Sequence, residues 1–294
     1  MVLKKLLASS LFFLALIALL SGCSDRTAFG DLYFYPEFLS NGQIMAVRGI
    51  KEERFNNIGM RTFDAYDEYL TRMAADGSGE IVGDQVTNDI VSDINYSPVS
   101  TWAAYASGKG GGKFSQIIIR YYPPVAGARA DTITLNTPNA TSFDWNPTGD
   151  GLVYSNTAGE IHAITLTGAD TVVLAASSVE SVAFKYGARI AYTYRDGTQS
   201  KLASVDTNGG SLINTGVAGV TNLCISMVNS SEVCGLQSGA YIKLNMSTAV
   251  ATTLIASFSG NGPRLAPTAD KVVFEKDSAL YTQDLVGGAA VKIK

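Results

Sequence analysis

The chain alternates between short apolar runs and turn-rich segments from residue 31 to its end. The clearest example begins at Phe143, where Phe143 and Trp145 alternate with polar residues, the two-residue period of a half-buried β-strand. Asn146–Gly149 then places a proline and a glycine at turn positions, and Leu152–Tyr154 is a run of strand-forming residues. This stretch therefore predicts a β-hairpin.

Two more strands are predicted after this hairpin, at Ile161–Leu166 and Thr171–Leu174, each preceded by a glycine-containing turn. Four short antiparallel strands in about forty residues have the size of one β-propeller blade. Weaker copies recur, and their first turns, near residues 40, 97, 146, 185, 229 and 266, lie 37 to 57 residues apart. Such units cannot bury their faces alone, so the pattern predicts one all-β domain at 31–294, a single β-propeller of six four-stranded blades. A pair of β-sandwiches is the alternative.

The turns of these copies resemble the PD40 repeat of TolB-type β-propellers. In that family a Ser-Pro-Asp-Gly turn joins the first two strands of a blade, and an Ala-Asp-Gly turn follows the third. This chain has Ser97-Pro98, Asn146-Pro147-Thr148-Gly149 and Ala266-Pro267-Thr268-Ala269 at the first position, and Ala75-Asp76-Gly77 at the second. No copy keeps the full Ser-Pro-Asp-Gly turn. The resemblance covers residues 31–294 and implies the propeller fold rather than the role of TolB. Either Val291–Lys294 or Phe29–Tyr33 is expected to complete the last blade.

Residues 1–22 are typical of a lipoprotein signal peptide. Lys4 and Lys5 precede an apolar run that is shorter than the roughly 20 apolar residues of a membrane span. Leu20-Ser21-Gly22-Cys23 resembles a bacterial lipobox, in which the cysteine becomes the first residue and carries diacylglycerol and palmitate. The motif predicts a membrane anchor of acyl chains on Cys23, with 23–30 as a lipidated tether. An ordinary signal peptide with an incidental cysteine is the alternative.

The residue that follows Cys23 indicates where in the cell envelope the protein is located. The net charge indicates which classes of partner it can bind. By resemblance to Gram-negative lipoproteins, Ser24 favours the outer membrane, with the domain facing the periplasm; in a Gram-positive host the motif predicts a cell-surface lipoprotein. The chain has 22 Lys and Arg and 26 Asp and Glu, and removal of 1–22 takes away two lysines, leaving a formal charge of −6. Since no basic stripe is present, the sequence argues against nucleic-acid binding and electrostatic lipid binding.

Residues with catalytic or metal-binding chemistry are few. The single histidine, His162, lies in an alternating strand without a Gly-x-Ser-x-Gly turn elsewhere, so we interpret it as structural and predict no catalytic residue. Cys224 and Cys234 flank a turn between adjacent predicted strands, where a disulfide would close a loop of about ten residues. Two buried free thiols on different faces are the alternative. We predict no metal site and no cofactor.

Two insertions, 51–65 and 107–114, are predicted as loops between the second and third strands of the first two blades. Such loops emerge on one face of a propeller, here from neighbouring blades. Arginine, other charges and exposed aromatic residues are typical of a partner-binding surface. The candidate partner-binding residues are Lys51, Arg54, Phe55, Arg61, Phe63, Lys109, Lys113 and Phe114. Solvated, variable loops are the alternative.

These features favour a non-enzymatic scaffold, anchored by lipid, that binds another cell-envelope protein or a cell-wall component. The alternative is a carbohydrate-binding protein or a propeller enzyme of the lyase or hydrolase type that uses the central channel, because a fold does not fix a function.

Overall fold

A computed structural model describes residues 26–55, 61–87, 92–99, 102–107, 113–121, 132–175, 177–227 and 229–294. Within these ranges the regular structure consists of antiparallel β-strands without helices, which confirms the all-β prediction. Accordingly, these ranges contain no helix long and apolar enough to cross a membrane.

The strands form five antiparallel sheets. The first sheet contains β1 (Arg26–Phe38), β2 (Ile44–Phe55), β3 (Arg61–Met73) and β4 (Ile81–Thr87). The second contains β5 (Ser92–Tyr96), β6 (Trp102–Ser107), β7 (Phe114–Tyr121), β8 (Thr132–Trp145), β9 (Gly151–Asn156), β10 (Ile161–Thr165) and β11 (Asp170–Leu174). The third contains β12 (Val179–Ala183), β13 (Ile190–Asp196), β14 (Gln199–Val205) and β15 (Ile213–Ala218). The fourth contains β16 (Val220–Ile225), β17 (Glu232–Gln237), β18 (Ala240–Asn245) and β19 (Ala251–Ile255), and the fifth β20 (Asn261–Leu265), β21 (Lys271–Lys276), β22 (Ala279–Asp284) and β23 (Val291–Lys292).

The second sheet joins what the repeat pattern treats as two blades. The first half of β8 pairs with β7, from Thr132 opposite Arg120 to Ala140 opposite Phe114. Its second half pairs with β9, ending with Trp145 opposite Leu152. Because one continuous strand serves both halves, seven strands form a single sheet here, and the number of six blades stays a prediction.

The sheets pack side by side in a closed ring, because each pair of neighbouring sheets shares buried apolar side chains. Between the first and last sheets, Tyr33, Phe38, Ile44, Ala46 and Met73 pack against Ala266, Val273 and Leu280. The Tyr33 amide also donates to the Ser278 carbonyl at 2.8 Å. Since Val291–Lys292 pairs with β22, the C-terminus itself supplies the outer strand of the last sheet, and the expectation that Phe29–Tyr33 supplies it is wrong.

The first strand of each repeat faces the centre of the ring; we call β1, β5, β8, β12, β16 and β20 the channel strands. Each has a β-bulge relative to its partner strand. The register shifts lie at Phe34/Glu37, Ser92/Ile94, Ala140/Ser142, Val179/Ser181, Thr221/Cys224 and Asn261/Arg264. A bulge inserts one residue, bends the strand and redirects side chains out of strict alternation. The bulges therefore help to place polar side chains in the ring centre.

Two predictions about the start of the chain need correction. The stretch 51–65 is for the most part strand rather than loop, because Lys51–Phe55 continues β2 and Arg61–Ala65 belongs to β3. The pairing of Arg26–Gly30 with the extension of β2 likewise places these residues in β1 rather than in the predicted tether. Backbone hydrogen bonding across three strands is the physical reason, and it overrides the charged composition that suggested a loop.

Replacement of Gly77 by alanine is expected to destabilise the junction between the first and last sheets. Gly77 and Gly42 both have φ of +80°, but only at Gly77 would a Cβ overlap the Ile293 carbonyl oxygen. Gly42→Ala should therefore lose about 1 kcal/mol of unfolding free energy for the left-handed backbone alone. Gly77→Ala should lose a further 1–3 kcal/mol, roughly the cost of an overpacked contact. Urea denaturation of both variants measures the difference, and equal losses would exclude the proposed contact.

Candidate functional site

The first sheet extends beyond the other sheets as a three-stranded ribbon. We define the β1–β3 ribbon as residues 26–31, 50–55 and 61–67, which pair in one ladder with a register shift between Arg54 and Phe55. β2 has 12 residues, whereas β6, β9, β17 and β21 have 6 each. Six additional residues of strand correspond to about 20 Å. The ribbon therefore projects from the ring on the face where second strands connect to third strands.

The ribbon brings together the predicted partner-binding residues of the first repeat. Arg54 lies opposite Phe63, and Phe55 lies opposite Arg61. Lys51 is half-buried, and its Nζ lies 2.5 Å from Glu53 Oε1 in an ion pair. The backbone thus places these residues on one extension of the sheet, although their role in binding stays a prediction.

The second candidate segment, 107–114, contains one exposed and one buried candidate residue. Lys113 is exposed, and its Nζ donates to Asn139 Oδ1 at 2.8 Å. Phe114 is only 2% exposed and packs edge-on against Phe143, with ring centroids 5.6 Å apart, so its prediction as an exposed binding residue is wrong. It begins β7 and joins the core, where burial of an aromatic ring outweighs any surface role. Lys109 lies outside the described residues.

A central cavity of about 420 Å³ lies between the channel strands. Its wall contains the acidic residues Glu37, Asp144, Glu180 and Glu275 and the basic residues Lys185 and Arg264. Burial raises the pKa of the Glu275 carboxyl above its ordinary value. Burial, followed by the negative charges of Glu37 and Asp144, likewise raises the pKa of Tyr186 on the same wall. The cavity wall therefore carries several charged and polar side chains.

An ion pair spans the central cavity. The Lys185 ammonium, just after β12, contacts the Glu37 carboxylate in β1. Lys185 is 4% exposed and Glu37 is 5% exposed. Two charges that are this deeply buried stabilise the fold only as an ion pair, because an unpaired buried charge costs several kcal/mol. The pair thus links strands from opposite sides of the ring.

Asp144 connects two channel strands through its side chain. Its Oδ2 accepts from the Phe184 and Lys185 amides at 2.7 and 3.0 Å, and its Oδ1 accepts from the Trp145 amide at 2.9 Å. On the other side of β8, Trp145 Nε1 donates to the Asn95 carbonyl at 3.0 Å. These bonds explain why polar residues occur inside otherwise apolar strands: they tie β5, β8 and the end of β12 together.

The two cysteines lie directly opposite each other in the β16–β17 ladder, and both are free thiols. Directly opposed residues project from the same side of a sheet, so the alternative of thiols on different faces is wrong. Cys224 is half-buried on the cavity wall, and Cys234 is fully buried. The predicted disulfide has the register that it requires but is not formed here, and it stays a prediction.

His162 in β10 lies between two carboxylates. Its Nδ1 is 3.1 Å from Asp170 Oδ1, and its Nε2 is 3.1 Å from Glu160 Oε2. The Tyr154 ring stacks on it at a centroid distance of 4.8 Å and donates its hydroxyl to Asp170 Oδ2 at 2.6 Å. Hydrogen bonds from Asn156 and His162 lower the pKa of Glu160. These contacts suit a structural histidine. Across the described ranges, no three His, Cys, Asp or Glu side chains converge to hold a metal ion.

The charged residues of the cavity wall were not predicted from the sequence. Lys185 follows the apolar run Val182–Phe184, and Arg264 lies between Pro263 and Leu265. A charged residue at the end of, or inside, an apolar strand is the signal that could have identified them, because such residues are rarely buried without a specific partner.

The ring of sheets, the bulged channel strands and the central cavity define a β-propeller, and the fold is TolB-like. The structure is similar to that of TolB from Acinetobacter baumannii, at 13% sequence identity and a TM-score of 0.57, over 82% of this chain and 74% of that one. It is also similar to a chain of a nidogen/laminin complex, at 9% identity and a TM-score of 0.56, over 91% and 92% of the two chains. At these identities the similarity shows the fold alone. No protein-family model and no curated protein sequence matches the chain.

Proposed function

We propose that the protein is a non-enzymatic scaffold that binds another protein of the bacterial cell envelope, and that lipid on Cys23 anchors it to the outer membrane facing the periplasm. The observation that carries this proposal is the β1–β3 ribbon, which projects from one face of the ring. An extended ribbon offers strand edges and alternating side chains. Proteins use these features to bind a strand of a partner or to form a flat interface with it.

The chemistry of the central cavity also favours a scaffold over a hydrolase or lyase. Its two buried carboxylates are already engaged, Glu37 by Lys185 and Asp144 by backbone amides. A catalytic acid or base needs a proton that it can exchange with a substrate, and these bonds occupy both buried carboxylates. His162 lies on β10, away from the residues that line this cavity.

The anchor and the location rest on the sequence motif. Cys23 follows Leu20-Ser21-Gly22, and Ser24 follows Cys23. β1 begins at Arg26, only three residues after the proposed lipid. A tether this short would hold the ring close to the membrane and confine its encounters with partners to the membrane surface.

The test is photo-crosslinking in the native envelope. A photoreactive residue at Arg54, in the ribbon, should give a covalent adduct with a discrete protein, identified by mass spectrometry. The same residue at Thr207, which is exposed in the connection between β14 and β15, is the matched control and should give none. In parallel, Cys23→Ser should move the protein from the membrane fraction to the soluble fraction.

The outcomes separate the parts of the proposal. A membrane-bound Cys23→Ser chain would exclude the lipid anchor and leave partner binding open to the crosslinking result. Equal adducts at Arg54 and Thr207, or none at Arg54, would exclude the ribbon as the binding surface. Turnover of a glycan or ester substrate by the purified chain, abolished by one substitution in the cavity, would exclude the scaffold.

A further inference from the structure

The two thiols on the wall of the central cavity form a site that the scaffold role does not use. Cys224 lies half-buried at the cavity, next to the bulge in β16, and Cys234 lies behind it in β17. The ladder pairs their Cα atoms directly, so both sulfur atoms project from the same side of the sheet. Only Cys224 faces the cavity, so a molecule that enters the ring meets this thiol first.

A cation that forms no ion pair with any described residue lies on the same cavity wall as Cys224. Arg264 lines the same cavity, and its only hydrogen bond to a described residue is from Nη1 to the adjacent Pro263 carbonyl, at 3.1 Å. Its charge interacts with Cys224 and, more weakly, with Glu37 and Asp144. Since Lys185 and backbone amides already engage those two carboxylates, a negative charge on Cys224 is the partner that Arg264 lacks.

The buried hydroxyl of Tyr241 also favours a negative charge on Cys224. No nitrogen or oxygen of the described residues hydrogen bonds to the Tyr241 hydroxyl, which is buried beside both thiols. An unsatisfied buried hydroxyl costs roughly 1–3 kcal/mol, and a thiolate at Cys224 would accept its proton in a hydrogen bond. Cys234 lies directly opposite Cys224 in the ladder, where its thiol could donate to that sulfur. A thiolate at Cys224 would therefore interact favourably with the Arg264 guanidinium, the Tyr241 hydroxyl and the Cys234 thiol.

The ionisation of the two thiols differs accordingly. Hydrogen bonding with Cys234, and then the charge of Arg264, lower the pKa of Cys224 below its ordinary value against the opposing effect of burial. The hydrogen bond to Cys224, together with burial, raises the pKa of Cys234 well above its ordinary value. Cys224 is thus the nucleophile of the pair, because the thiolate is the reactive form.

We propose that Cys224 and Cys234 form a reversible redox couple on the cavity wall, in which Cys224 attacks a disulfide that enters the cavity and Cys234 resolves the product. The reaction class is thiol–disulfide exchange with a low-molecular-weight disulfide. The Cys224 thiolate forms a bond to one sulfur of that disulfide and releases the other sulfur as a thiolate. Cys234 then passes its proton to the thiolate released in the first step and attacks the Cys224 sulfur. This attack forms the cross-strand disulfide, breaks the mixed disulfide and releases the second thiolate. Two protein thiols are oxidised, and one disulfide is reduced to two thiols.

The first test uses glutathione disulfide and the full-length chain. Glu232 lies between the two cysteines, so a glutamyl-specific protease places them, and Cys23, in separate peptides for mass spectrometry. The wild type should yield the Cys224 and Cys234 peptides joined by a bond that dithiothreitol cleaves. Cys234→Ser should accumulate one glutathione on Cys224, because the resolving thiol is missing. Cys224→Ser should react at Cys234 about tenfold more slowly, as expected for a thiol that stays protonated.

The second test measures how Arg264 and Tyr241 affect the reactivity of Cys224. The rate of Cys224 alkylation by iodoacetamide at neutral pH should fall several-fold in Arg264→Gln and in Tyr241→Phe, which keeps the buried ring. Lys201→Gln is the matched control: Lys201 in β14 pairs with Asp196, neither residue lines the cavity, and its loss should leave the rate unchanged. Circular dichroism checks that each variant is folded.

Two results would overturn the redox couple. One is that folded wild-type protein forms no bond between Cys224 and Cys234 under glutathione disulfide. The other is that Cys234 reacts as fast as Cys224, or that Arg264→Gln and Tyr241→Phe change the rate no more than Lys201→Gln. Neither result bears on the β1–β3 ribbon, because the couple is independent of partner binding there.

Discussion

Lys185→Met is expected to reduce the free energy of unfolding by about 3 kcal/mol, the lower end of the 3–5 kcal/mol lost when one partner of a buried ion pair is removed. The substitution leaves the Glu37 carboxylate, 5% exposed, without its ammonium partner. The lower end applies because Arg264 also attracts Glu37 and offsets part of the loss. Urea denaturation followed by circular dichroism measures the change.

The double variant Glu37→Leu/Lys185→Met is the control for this expectation. Replacing both partners of a buried ion pair with apolar residues is often neutral or stabilising, because neither charge then has to be desolvated. The double variant should therefore recover most of the stability that Lys185→Met loses. If it is as unstable as the single variant, the loss reflects packing around the cavity rather than an unpaired charge.

Trp145→Ala is expected to cost about 3–5 kcal/mol of unfolding free energy, the range for removing a large aromatic side chain from a core. Trp145 has 0% exposure and packs in the cluster that joins both halves of the seven-stranded sheet. Its indole also donates to the Asn95 carbonyl, so the substitution removes a link between β5 and β8. Thermal and urea denaturation measure the loss.

Trp145→Phe separates packing from hydrogen bonding at the same position. It keeps most of the ring but leaves the Asn95 carbonyl without its donor, and it should cost roughly 1–2 kcal/mol. A Trp145→Phe variant as unstable as Trp145→Ala would show that the indole hydrogen bond, rather than the volume of the ring, holds the two halves together.

The repeating hairpins were predictable from the sequence because their signals are local. The Gly149 amide donates to the Asn146 carbonyl at 3.1 Å and closes the turn that the Asn-Pro-Thr-Gly segment predicts. The strands on either side contain the predicted apolar runs, although β8 begins earlier than predicted, at Thr132. Turn residues and two-residue alternation act within a few positions of the chain, so no tertiary information is needed to recognise them.

The candidate binding residues were only partly predictable, for reasons that differ between them. Phe114 lies beside charged and glycine residues that suggest a loop, yet it packs on Phe143, which is distant in sequence. Arg54 and Arg61 belong to strands, because β1 pairs with β2 as the third strand of the ribbon. No local sequence pattern predicts this pairing. Contacts between segments that are distant in sequence thus determine both the burial of Phe114 and the strand positions of the two arginines.

By itself, the sequence determined the all-β class, the hairpin repeat that begins clearly at Phe143 and the lipobox-like motif at Cys23. All three depend on neighbouring residues alone. The tertiary structure decided which charges meet in the ring centre and which thiols face each other. Glu37 and Lys185 are 148 positions apart, and the ladder register sets Cys224 opposite Cys234. Only closure of the ring and the bulges in its channel strands bring such residues within bonding distance, since both depend on how the sheets pack around a common centre.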